Sequence, residues 1–147
     1  MKIVQFLAIV LTAVALIPEG AHFFERFAKM NLAPDQYMTV QQIYQGWALF
    51  GVVLFGALAA NLALAILSRG QRGPLLLASA AFVLVAATLV IFFAWTFPAN
   101  QATANWTVAP ENLNPLRAQW EYSHAVNAVL TFIAFLCVTI ASLSWSE

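Results

Sequence analysis

Charged side chains are scarce in this sequence. They make up 8% of its 147 residues, with six Lys and Arg balanced by six Asp and Glu, whereas a soluble domain carries about 25%. This shortage excludes a disordered chain, an ordinary soluble globule and a nucleic-acid-binding protein with a basic patch. The zero net charge implies no strongly charged partner, because long-range electrostatic steering needs a net field.

Cysteine is nearly absent as well. Because Cys137 is the single cysteine, the chain can form no internal disulfide, no redox pair of thiols and no thiolate metal cluster. Cys137 lies within an apolar run, where a free cysteine behaves as a small buried hydrophobic residue. Disulfide-relay chemistry is therefore excluded.

Apolar residues are abundant instead, at 63% of the chain, and the mean hydropathy is +0.82. They form four runs, each long enough to cross a hydrocarbon core about 30 Å thick. In lipid every backbone amide must be paired within its own segment, so the runs are predicted to be helices. The sequence predicts an all-α, four-helix transmembrane bundle as one domain, 1–147, with helices at about 3–27, 41–68, 74–97 and 116–144.

The charged loops predict the orientation of this bundle. The short loop 68–74 carries Arg69 and Arg72 without an acidic residue, and Lys2 lies at the same end. Because cytoplasmic loops are enriched in Lys and Arg, the loop and both termini are predicted to be cytoplasmic. The first run lacks a convincing cleavage site and is predicted to be a retained helix. We expect an integral protein of the bacterial inner (plasma) membrane.

Polar residues are costly within a membrane, and most of them gather at the predicted outer end of the bundle. On the first helix, Glu19, His22 and Arg26 follow an i, i+3, i+7 spacing and therefore share one face. Asn61 is an exception because it lies deep in the second helix, where we expect it to form a hydrogen bond between helices.

The last helix repeats this arrangement at its outer end. Arg117, Glu121 and His124 share one face, and Asn127 lies beside it. The chain therefore contains two Glu-x-x-His units, and these units hold its only two histidines.

Three interpretations of the Glu-x-x-His units remain open. The units can form a metal site or a bis-histidine haem site from His22, His124 and one or both of Glu19 and Glu121. They can instead perform metal-free acid–base chemistry, or form a structural network in which neighbouring arginines pair with the glutamates. A ferritin-like di-iron site is not supported, because it needs carboxylates from all four helices and the two middle helices have none.

The outer loop before the last helix, about 98–112, is long and rich in Asn, Thr and Trp. Long ordered loops often carry function. Trp95, Trp106 and Trp120 lie at interfacial depth, where they either anchor the helices or form the wall of a pocket for a flat apolar ligand. The outer start of the second helix is expected to complete the lining of such a pocket with Gln41, Gln42, Gln45, Tyr44 and Trp47.

One stretch of the sequence resembles a known family. The residues that carry the resemblance are Asn100, Thr103, Asn105, Trp106 and Thr107, followed by Leu116, Arg117, Trp120, Glu121, Tyr122, Ser123, His124 and Ala125. The chain resembles the small four-helix membrane proteins of a domain-of-unknown-function family that includes the anthrone oxygenases of polyketide pathways. The resemblance is best over about 95–135 and implies an oxygenase activity.

Two functional hypotheses follow. The first is a membrane oxidoreductase or oxygenase for a lipophilic aromatic or quinone-like substrate, with the bilayer and this small molecule as partners and a metal ion or haem as the candidate cofactor. The second is a non-catalytic membrane protein that binds haem, lipid or a partner subunit in the same pocket; association into an oligomer stays open. The candidate residues are His124, His22, Glu121 and Glu19 for catalysis or metal binding, and Arg117, Asn100, Asn105, Trp120, Asn127, Trp95, Arg26 and Gln45 for the pocket.

Overall fold

The computed structural model describes residues 1–146, and their regular structure is entirely helical. The elements in chain order are α1 (Lys2–Lys29), α2 (Pro34–Gln41), α3 (Phe50–Leu67), α4 (Arg72–Ile91), α5 (Phe97–Ala102) and α6 (Leu113–Leu143). Helix α4 continues through a π-helical turn, Phe92–Thr96, into α5. The predicted all-α four-helix bundle is confirmed.

Four helical stretches are long and apolar enough to cross a membrane. They are Lys2–Lys29, Trp47–Leu67, Arg72–Ala102 and Leu113–Leu143. Large apolar side chains cover their outer surfaces, as at Phe6, Val52, Val83 and Phe132, each at least half exposed. A contiguous apolar surface of this kind marks contact with lipid or another protein, which supports the predicted integral membrane protein.

Each long helix packs against two others. Helices α1 and α4 both contact α3 and α6, so the four form a ring in the order α1, α3, α4, α6. The core of one half consists mostly of small side chains, which let membrane helices approach closely. Its members are Ala8, Leu64, Ala65, Ala78, Ala81, Val85, Ala134, Val138 and Ala141.

The two ends of the bundle differ. At one end, which we call the inner end, Gln71 donates to the backbone carbonyl of Ser146 (2.6 Å), so the α3–α4 turn lies beside the C-terminal residues. The N-terminus is at the same end, because Ala8 near the start of α1 and Ala141 near the end of α6 belong to the same core cluster. The opposite, outer end carries α2, α5 and the loop before α6. Which side of the membrane each end faces stays a prediction.

The second membrane helix begins later than the predicted residue 41. Residues Gln42–Tyr44 and Trp47–Leu49 form 3-10 turns instead, separated by Gly46 with a left-handed φ of 86°. Glycine adopts this backbone region without the steric clash of a Cβ atom. The chain therefore turns sharply here, and α2 folds over the outer end of the bundle.

Asn61 occupies the position that the sequence predicts for an interhelical contact. Its side chain is completely buried, and Nδ2 donates to Thr12 Oγ1 on α1 at 2.9 Å. Hydrogen bonds of this kind hold membrane helices together, and this one joins α1 to α3.

Candidate functional site

A cavity of about 640 Å³ lies between the four long helices in the outer half of the bundle. Its walls are mostly apolar and aromatic, with polar side chains among them, as is typical of ligand pockets. The aromatic lining consists of Tyr44, Trp47, Phe50, Phe55, Phe92, Phe93, Trp106 and Trp120. The polar lining consists of Glu19, His22, Gln41, Gln45, Asn100, Asn105 and His124.

Both histidines meet at the wall of this cavity. The ring centroids of His22 and His124 are 4.3 Å apart, so the packing of α1 against α6 brings the two Glu-x-x-His units together. His22 is 4% exposed. It is enclosed by the rings of Tyr44, Trp47 and Trp120, at centroid distances of 4.5 to 5.3 Å.

Glu19 orients His124. Glu19 Oε2 lies 3.4 Å from His124 Nδ1, across the α1–α6 interface. A carboxylate at this nitrogen favours the tautomer with a proton on Nδ1. His124 Nε2 is then the nitrogen that can accept a proton, so the pair has the composition of an oriented general base.

Asn100 joins two tryptophans at the outer rim of the cavity. Its Oδ1 accepts hydrogen bonds from the indole nitrogens of Trp106 and Trp120, each at 2.9 Å. Indole N–H groups usually need a partner when buried, and both rings are at most 5% exposed. One amide oxygen therefore fixes two walls of the cavity.

The loop that carries Trp106 has an unusual backbone. Ala104, Asn105 and Trp106 all have left-handed φ values, of 47°, 55° and 64°, a region that non-glycine residues seldom adopt. The turn is held by Thr103 Oγ1, which accepts from the Trp106 backbone N–H at 3.1 Å. It is also held by Gln42 Nε2, which donates to the Trp106 carbonyl at 2.5 Å. Such strained segments persist where surrounding bonds over-determine them.

A buried ion pair lies beside the cavity. Lys29 Nζ and Glu121 Oε1 are 2.7 Å apart, and Lys29 and Glu121 are 3% and 0% exposed. Tyr37 donates to Glu121 Oε1 at 2.8 Å, and Gln41 Nε2 donates to the Tyr37 hydroxyl at 2.9 Å. Lys29 also donates to Gln41 Oε1 (3.0 Å) and to the Tyr44 hydroxyl (3.1 Å). We call these five residues the lysine network.

The two tyrosines of the lysine network stay protonated. Burial raises the pKa of Tyr37 above its usual value, and the negative charge of Glu121 raises it further. Burial also raises the pKa of Tyr44, together with the hydrogen bond that its hydroxyl donates to Glu25. Both hydroxyls therefore remain hydrogen-bond donors at neutral pH.

The structure brings seven of the predicted site residues to the cavity wall and places five elsewhere. Those at the wall are Glu19, His22, Gln45, Asn100, Asn105, Trp120 and His124. Glu121 belongs to the lysine network. Arg117 donates to the backbone carbonyls of Lys29 and Leu32.

The other three lie outside the cavity wall in different surroundings. Arg26 stacks on Phe23, Phe27 and Tyr122, with its Cζ 4.6 to 5.6 Å from the ring centroids. Trp95 is 52% exposed. Asn127 is buried deeper in the bundle, where its Nδ2 donates to the Thr88 carbonyl.

The predicted metal and haem sites do not fit this geometry. Among residues 1–146, no group of three or more His, Cys, Asp or Glu side chains is placed to hold a metal ion. Glu121, one of the predicted ligands, forms an ion pair with Lys29. A bis-histidine haem would lie between its two imidazole ligands. The two histidine rings, with centroids 4.3 Å apart, leave no space for a macrocycle between them.

Sequence reasoning missed Lys29 and Tyr37 as members of the site, whereas Gln41, Tyr44 and Trp47 line the cavity as expected. A signal was present, because positions 37, 41 and 44 follow an i, i+4, i+7 spacing and Lys29 continues the face of His22 by seven residues. Lys29 and Tyr37 fall in the predicted outer loop between the first two helices, and for that reason sequence reasoning assigned them no role.

Comparison with models of protein families, with curated proteins and with solved structures found no match to this chain.

Proposed function

We propose that this protein is an integral membrane oxidoreductase or oxygenase that acts on a lipophilic aromatic or quinone-like substrate in the aromatic cavity. The observation that carries the proposal is the Glu19–His124 pair in the wall of that cavity. A polar pair of this kind is expensive to keep within an apolar bundle, and ionisable groups in such positions often serve function.

The size and walls of the cavity suit a flat apolar ligand. Its volume of about 640 Å³ lies within the range of about 300–1,000 Å³ that small-molecule sites occupy. Phe55 on α3 and Phe93 after α4 line the cavity and are more than half exposed. Their exposure supports an entrance from lipid between α3 and α4, through which a membrane-dissolved substrate would enter.

The polar groups suit proton removal from such a ligand. His124, oriented by Glu19, would accept a proton from a phenol or a weakly acidic C–H group. The resulting anion gives up electrons more readily than the neutral molecule, and in an oxygenase the acceptor is dioxygen. Asn100 Oδ1 is held by two indoles, which leaves its amide nitrogen to donate to a substrate oxygen.

The resemblance to the anthrone oxygenase family supports the same proposal. Of the residues that carry it, Asn100, Asn105, Trp106, Trp120 and His124 all line the cavity. They come from α5, from the loop that follows it and from α6, and they line the same cavity as His22 of α1.

The experiment compares His124→Ala with wild type in lipid nanodiscs, measuring oxygen uptake with 1,8-dihydroxyanthrone as the probe. We expect His124→Ala to lose about 10²- to 10⁴-fold in turnover, as is usual for a general base, while its melting temperature and probe binding are retained. Tyr122→Phe, which alters an exposed residue of the same helix, is the matched control and should keep full turnover. Undiminished turnover of His124→Ala would contradict the proposal.

The second candidate is a non-catalytic lipid-binding protein, and the lipid-facing opening at Phe55 and Phe93 favours it. It predicts a lipid that co-purifies in about one copy per chain and no turnover with any aromatic probe. Mass spectrometry of the purified wild type and of His124→Ala measures this lipid. A lipid-binding protein should retain the lipid in both, because its binding does not depend on a catalytic base, and should show no turnover in either.

A further inference from the structure

A second cavity lies on the surface of the bundle, between α6 and the end of α4 with its π-helical turn. We call it the surface groove; its volume is about 430 Å³, and it shares no lining residue with the aromatic cavity. Apolar and aromatic side chains form most of its wall, namely Ile91, Trp95, Ala118, Tyr122 and Val126. Trp95 and Tyr122 are more than half exposed, so the groove is accessible from outside the bundle.

The surface groove begins at the depth where the hydrocarbon core of a membrane ends. Tyr122 lies about 20 residues before Leu143, the last residue of α6, and at about 1.5 Å per residue this distance is about 30 Å. The hydrocarbon core has about the same thickness, and exposed aromatic side chains such as Trp95 concentrate at its boundary. Ile91 and Val126 lie one turn further inward, so the groove runs from the headgroup level into the hydrocarbon.

A cation without an acidic partner lies beside the outer end of the groove. The Cζ atom of Arg26 is 5.1 Å from the ring centroid of Tyr122, and Arg26 is partly exposed. All carboxylates of α1 and α6 bind other side chains: Glu19 binds His124, Glu25 binds Tyr44 and Glu121 binds Lys29. Within residues 1–146, no ion pair therefore neutralises the charge of Arg26.

Arg26 and the surface groove match the two parts of an anionic phospholipid. A guanidinium binds a phosphate through paired N–H donors, and lipid phosphates lie at the level of Arg26. The apolar wall below it suits an acyl chain. The unpaired positive charge favours a lipid with a net negative charge, because the ammonium group of a zwitterionic lipid would oppose the attraction.

We propose that the surface groove binds one anionic phospholipid of the leaflet at the outer end, with its phosphate at Arg26 and one acyl chain between α4 and α6. The ring of Tyr122 packs against both parts, since it contacts the guanidinium and lines the groove. The lipid joins α1, α4 and α6 on the outside of the bundle. This site is separate from the aromatic cavity and does not depend on the proposed function.

Quenching of Trp95 fluorescence by brominated lipid tests the site, because bromine on an acyl chain quenches only tryptophans close to it. The protein is placed in phosphatidylcholine vesicles that contain a minor share of brominated phosphatidylglycerol or, for comparison, of brominated phosphatidylcholine. Subtracting the signal of Trp95→Phe isolates Trp95 from the other tryptophans. We expect phosphatidylglycerol to be preferred about fivefold at Trp95, the effect of one arginine near a membrane surface.

Two pairs of variants separate the headgroup contact from the acyl-chain contact. Arg26→Gln should abolish the preference for phosphatidylglycerol, whereas Arg69→Gln, at an exposed position of the inner turn, is the matched control and should retain it. Ala118→Phe, which fills the groove, should lower the preference as well. Val83→Phe, at an exposed position of α4 outside the groove, is its control and should not.

Salt covers the case in which a variant does not fold. Raising sodium chloride from about 0.02 to about 0.5 M should reduce the preference of the wild type about twofold or more, because exposed charges are screened. A wild type without a preference for phosphatidylglycerol, or an Arg26→Gln variant that retains it, would overturn the proposal. Trp95 quenched by neither lipid would show that a second copy of the chain covers the groove, which also overturns it.

Discussion

At the scale of residues, the buried ion pair of Lys29 and Glu121 is the contact whose disruption should change the stability of the protein most. Sequence spacing places Glu121 beside His124 on α6, but the structure pairs it with a lysine 92 positions earlier in the chain. A buried ion pair contributes little net stability, yet loss of one partner leaves an uncompensated charge in a medium that cannot solvate it. The pair therefore locks the end of α1 to the start of α6.

Lys29→Met is expected to destabilise the protein by about 3–5 kcal/mol, because it leaves the Glu121 carboxylate unpaired. Adding Glu121→Leu should restore part of the loss, since the double variant buries no charge. Arg26→Met is the matched control, because the Arg26 guanidinium stacks on aromatic rings. Removing this stacking should lower the free energy of unfolding by about 1 kcal/mol. The free energy of unfolding is measured in mixed micelles for the wild type, the two single variants and the double variant. A double variant no more stable than Lys29→Met would refute the expected coupling.

The same residues show what could be read from the sequence. The i, i+3 spacing on two helices predicted that Glu19, His22 and His124 share polar faces, and the structure joins those faces at one cavity. The partner of Glu121 could not be predicted, because a helix pattern states which side chains share a face and not which faces meet. Arg117 was the nearest cation in sequence, but its guanidinium satisfies the backbone carbonyls at the end of α1.

At the scale of elements, the outer loop and α2 contribute side chains to the site in addition to those of the four long helices. Hydropathy predicted the four membrane helices because a long apolar run has few alternatives in lipid. It carried no information on α2, whose Tyr37 and Gln41 enter the lysine network from a stretch that is polar on average. Nor did it indicate the π-helical turn at Phe92–Thr96, which lies beside the cavity as such turns often do at functional sites.

The left-handed turn at Ala104 gives a prediction at this scale. Ala104 has φ 47°, and an L side chain in this region costs about 1 kcal/mol or more relative to glycine. Ala104→Gly should therefore stabilise the protein by about 0.5–1 kcal/mol, part of the gain being offset by the greater freedom of glycine in the unfolded chain.

Ala102→Gly is the control for that substitution, because Ala102 is also exposed but ends α5 in a helical conformation. It should destabilise the protein by about 0.5–1 kcal/mol. Melting curves of the two variants should thus shift in opposite directions. A shift of both variants to lower temperature would show that the turn at Ala104 is not left-handed in the protein in solution.

At the scale of the whole molecule, the two halves of the bundle differ in polarity along the bundle axis. The inner half packs mainly through alanines and other apolar residues, and the outer half holds the cavity, the histidines and the lysine network. The direction from which a polar co-substrate or solvent reaches the site therefore depends on which end faces the cytoplasm. The Arg69 and Arg72 turn at the inner end predicts that this end is cytoplasmic.

Cysteine labelling in intact bacterial cells tests that orientation. In a Cys137→Ser background, Glu111→Cys lies in an exposed part of the outer loop and Gly70→Cys in the exposed inner turn, where a side chain meets no neighbour. A membrane-impermeant maleimide should label Glu111→Cys in intact cells and Gly70→Cys only after permeabilisation. The reverse pattern would place the cavity at the cytoplasmic side, so that soluble cytoplasmic reductants, rather than the extracytoplasmic medium, would have access to the His22–His124 site.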